Sequence, residues 1–237
     1  DRLELQQLNR EVARTGHVVE KNSYRLWSPD KVGEQVSHLH HQHGVKVFKV
    51  ADEMFVLNRR HVEDVCDAIT SRITNARDDL NIWAYARVDT ANDVKLLEKM
   101  RSAGFRWLCL GIESASESVR DGVDKGYAQE KIAKCCERIK VAGINVLANY
   151  IVGLPGDTME TMQKTLDLAQ ELNTLWMNVY ASTPYPGSQM WNDYPEHHNL
   201  PWSAFSQHSV DTHPTKTATL TAAQVLEFRD KFFQAYF

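Results

Sequence analysis

CCERIKVAGINVLANYIVGLPG, residues 135–156, runs an amphipathic helical segment into a glycine and then directly into an apolar strand. Gly143 falls where the last helical turn hands over to a left-handed residue, a conformation in which a side chain would clash. The same punctuation recurs at Gly104 in LLEKMRSAGFRWLCLGIES, residues 96–114. It recurs again at Gly44 in the unit that starts at Ser28 and runs through HLHHQHGVKVFKVADE to Glu53. Three units of helix, glycine and strand predict an α/β fold.

The spacing predicts helices near 29–42, 60–74, 91–102, 128–141, 158–172 and 221–236. Ser28 followed by Pro29 reads as an N-cap with proline at the first helical position, and Thr221-x-x-Gln224 reads as a capping box. Strands are predicted near 45–50, 81–86, 107–112, 145–152 and 175–181. VKVFKV, NIWAYA, WLCLGI, NVLANYIV and LWMNVYAS are nearly continuous in apolar character, which predicts a parallel sheet covered on both faces. Right-handed crossovers then give either an open doubly wound sheet or a partial or closed barrel, and pattern alone leaves these alternatives open.

The 237 residues suit one large α/β domain, and 43% hydrophobic with 24% charged residues is ordinary for a chain that buries a core. A net charge of −4 from 27 basic and 31 acidic residues offers no general attraction to nucleic acid or anionic lipid. No window reaches the roughly 18 apolar residues a membrane helix needs, and the polar start DRLELQQLNREVARTG is no signal peptide. A cytoplasmic location is expected. The four cysteines, Cys66, Cys109, Cys135 and Cys136, are too few and too irregular for a disulfide framework, so reduced thiols are expected.

Polar residues collect where the strands end, the position at which parallel α/β folds build their sites. Asp52 and Glu53 follow the first strand, Arg87 and Asp89 the second, Glu113 and Ser114 the third. The fourth carries Asn149 and Tyr150 and leaves through Gly153, Pro155 and Gly156; the fifth leaves through Ser182, Thr183 and PYPGS. Three acids and an arginine at one mouth suit a zwitterionic ligand or a divalent metal. Any one of them taken alone is as readily a helix cap or a solvated loop residue. His38, His40, His41 and His43 read as a solvated helix face rather than a metal tract. Cys135 and Cys136 point about 100° apart on a helix and make a poor chelate, while Cys66 and Cys109 read as core thiols. Trp83, Trp107 and Trp176 read as packing groups.

A string of segments carries a further resemblance: YRLWSPDKV, GVKVFKVADEMFVLN, LNIWAYARVDT, GFRWLCLGIESASESV, Lys125-Gly126, AGINVLANYIVGLPGDTMETM and YPGS at 185–188. Together they resemble the Elp3-like radical S-adenosylmethionine (radical SAM) enzymes, particularly the subgroup with an upstream cobalamin-binding domain. The resemblance divides the chain into an atypical lead at 1–23, a barrel core at 24–191 and an extension with a final helix at 192–237. It implies a six-stranded partial βα barrel, related to the TIM barrel, that binds SAM. Ala51, Asp52 and Glu53 would hold the methionine amine, Arg87 the carboxylate, and Glu113 the ribose or methionyl end. Ile151 to Gly153 and the strand reaching Ser182 would flank the adenine, with glycine at 153 admitting a close approach of the ring. Ser114 and Asn149, from the same exits, complete the candidate cofactor-binding set.

The family's C-x-x-x-C-x-x-C is not in this sequence, and no cysteine precedes Cys66. In such enzymes three thiolates hold a 4Fe-4S cluster and leave the fourth iron to chelate SAM. The favoured expectation is a chain whose first strand and cluster loop are missing or altered. Its parent would cleave SAM reductively to a 5′-deoxyadenosyl radical, with cobalamin-linked methyl transfer in the full-length protein. The alternatives are a non-catalytic SAM-binding module, or a divalent-metal hydrolase or lyase using Asp52, Glu53 and Glu113. Core exposed by a missing strand would favour self-association.

Overall fold

A computed structural model describes residues 25–121, 129–207, 209 and 211–237. The expected lead at 1–23, any first strand within it, and Lys125-Gly126 lie outside the described residues. Helix α1, Pro29–His43, starts as expected: the Ser28 side chain accepts from the Lys31 N–H with proline in the first turn, and Gly44 closes the helix at φ 65°. There follow strand β1, Val47–Lys49; α2, Arg59–Thr70; a short α3, Ala76–Asp79; and β2, Asn81–Arg87. Next come α4, Val94–Ser102; β3, Phe105–Glu113; α5, Glu117–Asp121; α6, Gln129–Val141; and β4, Asn145–Val152. The chain finishes with α7, Met159–Leu172; β5, Trp176–Ala181; α8, Gln189–Asp193; and α9, Ala222–Tyr236, which opens with the Thr221–Gln224 capping box.

The five strands are all parallel and stand in the order β1-β2-β3-β4-β5. A doubly wound sheet reverses its strand order and takes helices on both faces. Sequential order instead curls the sheet into part of a barrel, with every exit on one rim.

The expectation of a sheet covered on both faces is corrected. Along β2 exposure alternates residue by residue: Ile82, Ala84 and Ala86 are buried, whereas Asn81, Trp83, Tyr85 and Arg87 between them are half-exposed. Leu108, Leu110, Val146, Ala148, Met177 and Val179 continue the buried side, which belongs to the core shared with the helices. The other side is the concave face of an incomplete barrel. Its strands read as nearly unbroken apolar runs because this face is built largely of tryptophan, tyrosine and cysteine, with few charges.

Two of the tryptophans assigned to packing therefore sit on the concave face. Trp83 and Trp107 are half-buried and stack with ring centroids 4.5 Å apart at 15°. Trp176 is 47% exposed and leans on Phe237 near the chain end. The C-terminal extension is not a separate body, since Leu220, Val225, Phe228 and Phe232 enter the same core and Phe232 lies 5.5 Å from the Tyr150 ring. No helix among the described residues is long and apolar enough to cross a membrane.

Helices α1 and α2 cross at Gly33, where a Cβ would meet the Ala68 carbonyl oxygen at 2.6 Å and its carbon at 2.8 Å. Backbone cannot yield as a flexible side chain can, so the close crossing demands glycine. Gly33→Ala is expected to destabilise the fold by about 1–3 kcal/mol through overpacking. An unchanged urea midpoint would show that the two helices do not meet as described.

Candidate cofactor site at the strand exits

Register places the exits on successive rungs of one rim. Arg87, Gly111, Asn149 and Asn178 are aligned across β2, β3, β4 and β5; Glu113 pairs with Tyr150 one rung further out, and Ile151 with Tyr180 one rung beyond that. Val50 pairs its N–H with the Trp83 carbonyl, so Ala51, Asp52 and Glu53 leave β1 towards the same end. Asp52 accepts from the Met54 N–H at 2.9 Å in a tight turn, and with Glu53 it borders a cavity of about 760 Å³ between α1, α2 and β1. Arg87 makes a two-pronged ion pair with Asp89, at 2.9 and 3.0 Å. The expected carboxylate donor is thus held in place by the acid two residues on.

Glu113 is the outlier of the rim. It is buried, and it adopts φ 67°, a region that β-sheet residues other than glycine avoid. The pairing of β3 with β4 shifts between Gly111 and Glu113, leaving one extra residue on β3. The Ser114 N–H then bonds the Ile112 carbonyl at 3.0 Å, closing a three-residue turn on Glu113. Such a conformation costs about 1–3 kcal/mol and persists only where its surroundings over-determine it.

Those surroundings are visible. Arg120 is fully buried and donates from Nη1 to the carbonyls of Ser114 at 2.6 Å and Ala115 at 2.8 Å. On the other side Thr165 of α7 lies 3.2 Å from the Ser114 hydroxyl and accepts from the Ala115 N–H at 3.0 Å. Ser114 was expected to share the mouth with Glu113, and this is corrected. Its hydroxyl turns into the helix layer and anchors the turn instead.

Two further expectations change their physical meaning. Ser182 points its hydroxyl at the Met190 sulfur, 3.5 Å away, and is buried. Gly153 does take φ 77°, but a Cβ there would meet the Val225 side chain at 2.5 Å, so packing of α9 is what requires glycine. Buried Thr215 ties the two exits together, its hydroxyl donating to the carbonyls of Gly153 at 3.2 Å and Ser182 at 3.3 Å.

The concave face below the rim adds residues that the sequence reading missed. Asn178 donates to Asn149 at 3.1 Å, and Asn149 donates on to the Leu110 carbonyl at 3.3 Å. The Lys49 ammonium sits 5.3 Å from the centre of the Tyr85 ring, and hydrogen bonding to Tyr85 pushes its pKa up. Tyr180 of β5 faces the same space, its phenol pushed up by burial. Asn149, Ile151 and Tyr180 therefore share the half-buried concave face just below the exits.

The thiols do not fit an iron-sulfur cluster. Burial pushes Cys66 and Cys135 up to about 12 and Cys136 up to about 11, and it raises Cys109 as well. Cluster ligands must be thiolates and must converge, whereas Cys66 and Cys109 lie on different elements, Cys135 and Cys136 diverge as neighbours on α6, and Cys135 donates to the Ala91 carbonyl. No group of three His, Cys, Asp or Glu side chains among the described residues is arranged to hold a metal ion. Asp52, Glu53 and Glu113 therefore do not make the divalent-metal site of the hydrolase alternative. The histidines of α1 likewise serve the helix, His41 bonding the Ser37 carbonyl and His40 the Val45 carbonyl.

The Radical SAM superfamily profile matches residues 13–169. The chain belongs to the radical SAM superfamily. It is 30% identical over 168 residues to an uncharacterized methyltransferase of Pyrococcus horikoshii, covering 71% of this chain and 36% of that protein. It is 32% identical over 173 residues to the anaerobic magnesium-protoporphyrin IX monomethyl ester cyclase of Rubrivivax gelatinosus, covering 72% and 30%. The chain thus spans about a third of the length of these curated relatives. Among solved structures, the radical SAM methyltransferase TsrM of Kitasatospora setae, with cobalamin and a 4Fe-4S cluster bound, superposes with a TM-score of 0.61 at 18% identity. That match covers 84% of this chain and 40% of TsrM. Elp3 of Methanocaldococcus infernus superposes at 0.51 with 13% identity, covering 86% and 59%. These likenesses show the fold, a partial radical SAM barrel.

The exit of β4 carries a titration of its own. Asp157 is buried and its carboxyl is pushed up by desolvation, partly offset by the Thr161 hydroxyl at 2.7 Å and the Leu154 N–H at 3.0 Å. Between the ordinary value of 3.8 and the raised folded one, the native state binds more protons than the unfolded state. Stability therefore falls as pH rises through that window and levels off above it. Asp157→Asn removes this component, so its stability measured by urea from pH 3.5 upward declines less steeply than that of the native protein. Parallel curves would contradict the assignment.

Proposed function

We propose that the rim binds S-adenosylmethionine, and that the full-length protein is a cobalamin-linked radical SAM methyltransferase of which this chain supplies the cofactor-binding barrel. The observation that carries the reading is Glu113. A carboxylate is held in a strained turn by a buried arginine, a threonine and a bulge, at the centre of the rim. Strain of this kind concentrates where a side chain must be presented to a ligand.

In this arrangement Ala51, Asp52 and Glu53 offer acceptors to the methionyl amine, Arg87 its guanidinium to the carboxylate, and Glu113 an acceptor to the ribose hydroxyls. Backbone at Ile151–Gly153 and the exit of β5 flank the adenine. The Asn149–Asn178 pair and Tyr180 fix the concave wall beside it. When bound, SAM supplies the adenosyl group from which the family's radical chemistry proceeds. The methyltransferase names among the relatives and the cobalamin in TsrM support methyl transfer.

Since the thiols of this chain are buried and scattered, the chain by itself binds SAM without cleaving it. Calorimetry is expected to show SAM binding, weakened about tenfold or more in Glu113→Gln and Arg87→Gln by loss of charge-assisted hydrogen bonds. Thermal unfolding near that of the native chain would confirm that the variants fold. Absence of SAM binding in the native chain would overturn the reading. After anaerobic reconstitution with iron and sulfide, the chain should hold no stoichiometric cluster and release no 5′-deoxyadenosine. A full cluster would contradict the account of its cysteines.

A further inference from the structure

Beside Arg87, on the outer side of the rim, lies a cleft of about 410 Å³ between the β2–α4 loop and helix α6. Among the described residues, four cationic side chains, Arg87, Lys131, Lys134 and Arg138, line it with the carboxylate of Asp89. This stands out in a chain whose net charge is −4. Lys131, Lys134 and Arg138 recur at helical spacing on one side of α6, over roughly 10 Å of its length. The two carboxylates of the same helix, Glu130 and Glu137, do not line the cleft.

An ordinary solvated helix face pairs or intermixes its charges. Here Lys131, Lys134 and Arg138 make no ion pair within 4.0 Å among the described residues, although the molecule has many exposed acids. The wall is also built rather than loose. Arg138 donates to the Asn92 carbonyl at 3.1 Å, and the Asn92 amide bonds the Val88 carbonyl, so the loop after β2 is laced to α6. Beneath it Cys135 donates to Ala91 from the same helix.

We propose that this cleft binds a phosphoryl group of the substrate. Two ammonium groups act as point charges that can approach a tetrahedral, multiply charged anion from several sides. The one guanidinium of α6 has part of its fork committed to Asn92, which makes planar two-pronged capture of a carboxylate the poorer match. Arg87 is shared between the cleft and the rim, so a ligand anchored here reaches the strand exits with its remaining part. That last step rests on the proposed SAM site, whereas the anion site does not.

The test is calorimetric titration of inorganic pyrophosphate into the full chain at low ionic strength. Binding is expected, weakened about tenfold or more both by Lys131→Glu with Lys134→Glu and by salt raised to about 0.5 M. Both positions are exposed, so the double variant should unfold at the native temperature. It should also retain SAM affinity, which separates this proposal from the site at the rim. A control reversal of two exposed lysines elsewhere, Lys46→Glu at the entry of β1 with Lys231→Glu on α9, should leave pyrophosphate binding within about twofold, since exposed charges remote from the cleft are screened. Equal weakening by the control pair would mean general surface attraction and overturn the proposal. So would undiminished binding in the cleft variant, equal affinity for succinate, or no pyrophosphate binding at all. Loss of SAM binding in the native chain would refute the rim while leaving the cleft standing.

Discussion

Five parallel strands in sequential order can bury only one face against their own helices. Everything else in this molecule depends on that asymmetry. Isoleucine, leucine, valine and alanine at alternate positions fill the helix side, and the positions between them carry Trp83, Tyr85, Arg87, Asn149, Asn178 and Tyr180 on a half-open concave side. Such a surface has amide and phenol groups at fixed spacing with partial shelter from water. It becomes a site because the same topology sends every strand out at one rim.

At that rim the molecule holds one carboxylate against conformational preference. Arg120 is the group that makes this feasible. A buried guanidinium bonded to the carbonyls of Ser114 and Ala115 fixes the backbone just beyond Glu113, and Thr165 fixes it from the other side. Removing either support would leave buried polar groups without partners, a loss larger than the net value of each bond. The turn, its braces and the Thr215 tie between the fourth and fifth exits form a continuous frame around the opening. The C-terminal extension belongs to that frame, since Val225 occupies the space left by Gly153.

Much of this was legible in the sequence. The glycines at 44, 104 and 143 mark helix ends and all take positive φ, the Ser28 and Thr221 caps are as read, and the exits carry the residues expected at them. What escaped was the difference between the two sides of each strand. Tryptophan and tyrosine count as apolar in a run such as NIWAYA, so a one-sided strand reads as buried on both sides. The period-two alternation is nevertheless present in Trp83, Tyr85, Arg87 against Ile82, Ala84, Ala86. Ser114 was misread because a hydroxyl next to an acid at a strand exit serves equally to pin a turn. Arg120 left no signal, because nothing in its local pattern separates a buried arginine from one on a solvated helix.

The central claim is that the rim, and not another surface, receives SAM. Amide hydrogen exchange of the chain with and without saturating SAM tests it most directly. The account predicts new protection confined to residues 51–54, 87–91, 111–115, 149–153 and 180–183, with little change in the outer helices. Protection absent there, or concentrated in α1, α2 or the tryptophan-bearing bases of the strands, would contradict it.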